Sequence, residues 1–204
     1  MESGETTGKI ETYNFTCEKD GAQLYAEISK KGGKLMLFNM VSECNNMVYD
    51  KDECVEIGLN FLNKLELTNM RPVWASQAYG VATINYVYEK DDIIYYPDMV
   101  KVTVCQETGM VTGYEASEYY YNHIERDMEK ASVSKAQAIE KLHEGMELLT
   151  CRLALIPVGE KEVLSYELCA DYQGETYFVY INALTGKQAE MFIVIDSVDG
   201  QLLI

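Results

Sequence analysis

A pattern used twice constrains this chain more than any other feature. The stretch Tyr177 to Ile204, YFVYINALTGKQAEMFIVIDSVDGQLLI, holds a strand-like run, a Thr-Gly turn and a second strand-like run. The same order occurs from Val100 to Glu115, with Thr108-Gly109 in the place of Thr185-Gly186. Upstream of each hairpin stands a helix start. Asp50-Lys51-Asp52-Glu53 and Ser134-Lys135-Ala136-Gln137 both have capping-box form, in which the first side chain accepts from a first-turn amide and the residue three positions on reaches back. The helix starts differ by 84 positions and the Thr-Gly turns by 77, so the second copy is seven residues shorter. A loop deletion near Tyr88 to Asp98 accounts for the difference.

The periodicities fill in the rest. Residues 1 to 12 are polar and read as a frayed start. From Tyr13 the run YNFTCEKDGAQLYAEISKKGGKLMLFNM alternates as three strands, with Asp20-Gly21 and Gly32-Gly33 as reversals. No helix precedes them, so the first unit begins midway. Cys54, Gly58, Phe61, Leu62 and Leu65 then share one side of a helix, and Val81 to Tyr88 alternates. Asp91-Asp92 reverses the chain. Pro97 cannot donate in a ladder, so Ile93 to Tyr96 reads as an edge, a bulge or a strand entry. Glu115 to Lys130 is a short helix or an extended linker. A second amphipathic helix carries Ala136, Ile139, Leu142 and Met146, four strands follow it, and Asp199-Gly200 closes a last hairpin. The expected class is α+β: tandem units, each a helix packed on an antiparallel sheet of three to four strands, the first truncated. The boundaries fall at 1–45, 46–131 and 132–204.

Charge and chemistry narrow the function. With 17 basic and 33 acidic residues the chain carries a formal charge of −16, which repels nucleic acid and anionic lipid, and no basic stripe offsets it. No apolar run of ~18 residues is present to span a bilayer. The six cysteines are too widely spaced for a CxxC redox pair or a CxxC zinc site, and read as small buried hydrophobes or as disulfide partners. His123 and His143 are the only histidines, they fall in different elements, and neither has a partner at metal-ligand spacing. Asp91-Asp92 and Asp50 to Glu53 have local explanations as turn and cap. Lys31-Gly32-Gly33-Lys34 is too short for a phosphate loop. The sequence therefore supplies neither catalytic residues nor a cofactor or metal site. Sixteen tyrosines against five phenylalanines suit a half-buried sheet face or a partner surface. For the surface, Tyr95, Tyr96 and Asp98, with Tyr119, Tyr120 and Tyr121, are the candidates.

A helix opened by Ser/Asp-x-x-Glu/Gln, then antiparallel strands, then a strand ending in a Thr-Gly hairpin, resembles the PepSY domain. The wider run resembles the C-terminal region of the YpeB family of spore germination proteins. It matches at Ile28 to Gly33, Tyr96 to Val102, Gly113 to Ala116, Asn122-His123, Arg152 to Pro157, Lys161 to Leu164 and Val179 to Gly186. The resemblance implies a non-enzymatic protein of the spore envelope, near the inner spore membrane, that places, stabilises or regulates a spore cortex-lytic hydrolase. It also implies an anchoring N-terminal segment and a helical region, both outside this sequence. PepSY domains in metallopeptidase propeptides imply the alternative of a protease inhibitor or intramolecular chaperone.

Overall fold

The computed structural model describes residues 2–6, 9–19, 21–197 and 200–203, so Asp20 and Asp199, expected in turns, lie outside the described residues. The protein is α+β, built mostly of strands with few helices. The chain divides into two compact units, Met1–Tyr88 with Asp98–His123, and Glu89–Pro97 with Ile124–Ile204.

The first unit opens with β1 (Glu2–Thr6), β2 (Thr12–Lys19), β3 (Ala22–Ser29) and β4 (Leu35–Met40), followed by α1 (Lys51–Lys64). Next come β5 (Met70–Ala78), β6 (Val81–Lys90), β7 (Ile93–Cys105), β8 (Val111–Glu115) and α2 (Ser117–Asn122). The strand order is β1-β2-β3-β4-β8-β7-β6-β5. The polar start is thus not frayed: Glu2–Thr6 pairs antiparallel with Thr12–Thr16. Backbone hydrogen bonding outweighs the low hydropathy there.

The expected capping box forms at Asp50, whose Oδ1 accepts from the Glu53 amide at 2.8 Å, while Glu53 Oε2 accepts from the Asp50 amide at 2.9 Å. Helical spacing then turns Cys54, Gly58 and Leu62 inward, and all three are buried. They meet Ala82, Ile84 and Tyr86 of β6 and Val100, Val102 and Val104 of β7, the alternating positions of each strand, all fully buried. Burying such side chains contributes about 1.5–3 kcal/mol each, which makes this layer the main stabilising term of the unit. Gly58 is needed at its place because a Cβ there would collide with the Tyr86 hydroxyl, which donates to the Val55 carbonyl at 2.8 Å.

The second unit contains α3 (Lys135–Ile139), β9 (Glu147–Val158), β10 (Lys161–Tyr172), β11 (Glu175–Asn182), β12 (Gln188–Ser197) and β13 (Gly200–Leu203). β9 to β13 pair antiparallel in sequence order. Residues 93–95 of β7, which belong to this unit, lie parallel to Leu153–Leu155 of β9. Pro97 therefore sits neither at an edge nor at a strand entry. It lies inside β7, in sequence between the residues that pair with β9 and those that pair with β8.

Two expectations about the second copy need correction. Its helix ends at Ile139 instead of running to Met146, because the Lys141, Leu142 and Met146 amides bond three residues back and Gly145 takes a φ of 92°. The seven missing residues come from this helix and not from the Tyr88 to Asp98 loop. Met70 and Glu147, which open the strands after each helix, already stand at the offset of the two hairpins.

The hairpins themselves are duplicates in hydrogen bonding. The Gly109 amide donates to the Cys105 carbonyl at 2.9 Å, and the Gly186 amide to the Asn182 carbonyl at 2.9 Å. The Cys105 and Asn182 amides return to Met110 and Lys187 at 2.9 and 2.8 Å. Both glycines hold a positive φ, 69° and 70°, that a side chain would strain. The segment before each helix docks alike: the Val48 and Tyr49 amides share the Gln106 carbonyl, and the Ser132 and Val133 amides share that of Ala183.

Candidate functional site

In the Tyr95-Tyr96-Pro97-Asp98 segment every residue but Tyr96 is buried. Tyr95 is 5% exposed and Asp98 is 0% exposed, so these two do not offer the contact surface expected of them. Alternation along β7 indicates that two faces exist but not which is covered, and here both are. In the second unit Tyr95 lies under the Arg126 guanidinium at 5.5 Å. Arg126 in turn binds Glu162 through two bonds of 2.8 Å. Tyr96, partly buried, donates to Glu167 Oε2 at 2.5 Å. Tyr180 donates to the same oxygen at 2.9 Å, and Arg152 covers Glu167 Oε1 at 2.7 Å from both Nε and Nη2.

Glu167 has no exposed side-chain surface. A buried carboxylate is tolerated only when its lone pairs are satisfied, and four donors do that here. Burial first, and then the charge of Glu167, push the Tyr96 hydroxyl well above its ordinary pKa. Tyr180 is raised by burial, Tyr96 and Glu167. Burial pulls the Arg152 guanidinium down, yet Glu167 and Tyr96 outweigh it and leave Arg152 above its usual value. Tyr96, Tyr180 and Arg152 therefore all keep their protons through the neutral range. The arrangement fixes side chains from four strands around one carboxylate. Sequence reasoning missed Glu167 and Arg152; the one trace was a charged pair on facing strands that otherwise read as apolar.

In the first unit Asp98 Oδ2 lies 2.7 Å from His123 Nδ1. The imidazole is stacked on Tyr119, with centroids 4.5 Å apart, and meets Tyr88 edge-on at 4.7 Å. Burial, followed by the Asp98 charge, pushes Tyr119 up to about 12. A carboxylate-oriented imidazole is half of a nucleophilic triad, but the other half is a hydroxyl or thiol within hydrogen-bond reach. Among the described residues no such group bonds this ring. Tyr119 and Tyr120 sit on α2 in edge contact at 5.5 Å, and Tyr121 lies beneath Lys9 at 5.5 Å. All three are partly exposed, so this trio keeps the accessible surface that Tyr95 and Asp98 lack. Among the described residues no three His, Cys, Asp or Glu side chains are placed to share a metal ion, and no helix is long and apolar enough to cross a membrane.

The surface feature that the sequence did not announce is the segment from Val41 to Tyr49, which has no regular secondary structure yet is fastened repeatedly. A disulfide joins Cys44 to Cys105 across a sequence separation of 61. The Glu107 carboxylate accepts from the Asn45 amide at 2.8 Å and from Asn46 Nδ2 at 2.9 Å. These amide bonds hold its pKa below the usual carboxylate range. The Val48 and Tyr49 amides add bonds of 3.0 and 2.8 Å to the Gln106 carbonyl. Despite these ties, Val41, Met47 and Val48 remain 67%, 74% and 68% exposed, and Tyr79 at the neighbouring β5–β6 turn is 77% exposed. Scattered exposed apolar residues are ordinary, but several in and beside one fastened loop form a surface. The cysteine spacing left both bonded and free thiols open; Cys17, Cys54, Cys151 and Cys169 are free.

Helix-on-sheet units with duplicated hairpins define a PepSY-type module. The family model for the YpeB sporulation PepSY1 and PepSY2 domains matches residues 1–129, and the chain belongs to the YpeB family. It is 32% identical over 172 residues to a sporulation protein YpeB of Halalkalibacterium halodurans, covering 83% of this chain and 38% of that one. It is 26% identical over 197 residues to the sporulation protein YpeB of Bacillus subtilis, covering 94% of this chain and 43% of that one. The chain therefore spans well under half the length of these relatives. The Bacillus megaterium YpeB C-terminal domain has the same fold, with a TM-score of 0.87 at 24% identity over 94% of this chain and 88% of that one.

Proposed function

We propose that this chain is a non-enzymatic protein-binding module of the spore germination apparatus, placing, stabilising or regulating a cortex-lytic cell-wall hydrolase in the spore envelope. The observation that carries the reading is the fastened loop. The Met47 and Val48 side chains face solvent, while the disulfide and the Glu107 and Gln106 bonds hold their backbone in one arrangement. Pre-ordering of that kind lowers the entropy cost of association. Membership of the YpeB sporulation family supports the setting of this reading. The two polar centres serve to hold elements in place, His123 on β7 and Glu167 across β7, β9, β10 and β11. The Tyr119, Tyr120 and Tyr121 trio forms a further part of the partner surface.

The test is co-elution of the purified chain with the cortex-lytic hydrolase of the same organism in size-exclusion chromatography, beside an assay of the chain alone on peptidoglycan. The reading expects a joint peak and no turnover by the chain. Separate elution with both proteins folded, or turnover by the chain alone, would sink it.

A further inference from the structure

The two copies of the repeat differ where the segment before each helix docks. The carbonyl that receives the two amides before each helix belongs to Gln106 in the first copy and to Ala183 in the second. Ala183 is small and fully buried. Gln106 is 1% exposed and carries a full amide into the corresponding position. Its Nε2 donates to the Tyr49 carbonyl at 3.0 Å, and its Oε1 has no hydrogen-bond partner. Buried acceptors are nearly always satisfied, so an orphan of this kind marks a place where a donor is expected. The residue at the strand end differs too. In the second copy Asn182 Oδ1 accepts from the Leu184 and Thr185 amides and secures its turn locally, whereas in the first copy Cys105 is bonded to Cys44 of the loop.

The consequence is an open cleft of about 430 Å³ in the first unit, lined by Met47, Val48, Tyr49, Asp50, Lys51, Asp52, Gln77 and Gln106. Its size lies in the range of built ligand sites. Met47 and Val48 give it an apolar rim. From residue 41 to residue 53 the chain carries Glu43, Asp50, Asp52 and Glu53 against Lys51 alone, and Glu107 adds a further carboxylate beside the loop. On a chain of formal charge −16, this edge attracts cations.

We infer that this cleft binds a basic amphipathic segment of a partner protein, with apolar side chains seated on Met47 and Val48, a Lys or Arg facing the Asp50 and Asp52 carboxylates, and a donor group reaching toward Gln106. The inference rests on the binding-module reading and names the chemistry of the segment that such a partner presents. Apolar contact supplies affinity, and the acidic rim selects sign and speeds encounter. The second copy has alanine in place of the glutamine and so lacks the orphan acceptor.

The experiment is an NMR titration of the full 204-residue chain with a synthetic Leu/Lys amphipathic peptide and its Leu/Glu counterpart. Saturable shifts at the Met47 and Val48 methyls and the Gln106 side-chain amide are expected with the Leu/Lys peptide and absent with the other. Met47→Ser with Val48→Ser, both at exposed positions, should weaken binding about tenfold. Glu43→Gln with Asp52→Asn should weaken it about threefold and flatten its salt dependence. No shift at millimolar peptide, equal shifts with the Leu/Glu peptide, binding unchanged in the Met47/Val48 variant, or the same signals moved by zwitterionic vesicles would each overturn the assignment. Co-elution with the hydrolase but no peptide binding would remove this cleft and keep the module; peptide binding without co-elution would remove the hydrolase and keep the cleft.

Discussion

His123 Nδ1 lies 2.7 Å from Oδ2 of Asp98, a carboxylate whose side chain has no exposed surface. The ring's stacking on Tyr119 and its edge contact with Tyr88 make the pair a clamp that fixes the end of α2 to β7. Replacing His123 with Ala leaves a buried acceptor short of a donor, which costs about 1–3 kcal/mol. Urea unfolding should show that loss, and hydrogen exchange should show faster opening at residues 117–123. An unchanged midpoint would make the clamp incidental.

Glu167→Gln tests the second polar centre. Arg152 would keep its position while losing its counter-charge, and breaking a buried pair from one side costs about 3–5 kcal/mol. Tyr96→Phe and Tyr180→Phe each remove one bond to a charged group, worth about 1.5–3 kcal/mol, and the two should combine non-additively because they share one oxygen. Equilibrium unfolding of the single and double variants reads both effects.

Reduction probes the staple. Chain entropy for a cross-link of sequence separation 61 amounts to about 4 kcal/mol. A dithiol reductant, or Cys44→Ser with Cys105→Ser, should lower the stability of the first unit by that order and increase proteolysis at residues 41–49. Thiol titration of the unfolded, unreduced chain should count the four free cysteines. Six thiols would mean the bond is not made.

Alkaline pH should unfold the protein steeply. Tyr96, Tyr180, Tyr114 and Tyr86 all have folded pKa values above that of a free tyrosine, with burial the largest cause for each, and Tyr119 reaches about 12. Between about pH 10 and 12 the unfolded chain releases protons that the folded chain keeps, so unfolding gains free energy as pH rises. This contribution to stability is complete below about pH 10 and is lost above it. Tyrosinate absorbance and circular dichroism followed together should change in one transition; tyrosine ionisation without unfolding would contradict the burial of these rings.

What could be read in advance was what local spacing controls. Both capping boxes, the faces of α1, β6 and β7 and the Thr-Gly turns follow from contacts a few residues apart. Asp91 and Asp92 take φ values of 53° and 60°, as a tight hairpin reversal requires. The errors lie where distant partners decide. The segment from Tyr95 to Asp98 reads as partner surface because tyrosine suits interfaces, yet Arg126 and His123 come from 31 and 25 positions away to cover Tyr95 and Asp98. Pro97 leaves an edge, a bulge or a strand entry open, because a missing donor is visible in sequence and a strand's pairing partners are not. The Ser134 cap was legible, but Gly145 and the short-range bonds after Ile139 stopped the helix early. No spacing rule could have matched Cys44 to Cys105, since only the fold brings them to a Cα separation of 5.8 Å.

The central claim is that a fastened, solvent-facing loop does the work of binding. Its most direct test is the affinity of the whole chain for the cortex-lytic hydrolase, measured calorimetrically for the wild type and for the Met47→Ser, Val48→Ser variant. The account predicts measurable binding that falls about tenfold in the variant while the melting temperature stays put. Equal affinities for the two proteins, or no binding by either, would contradict it.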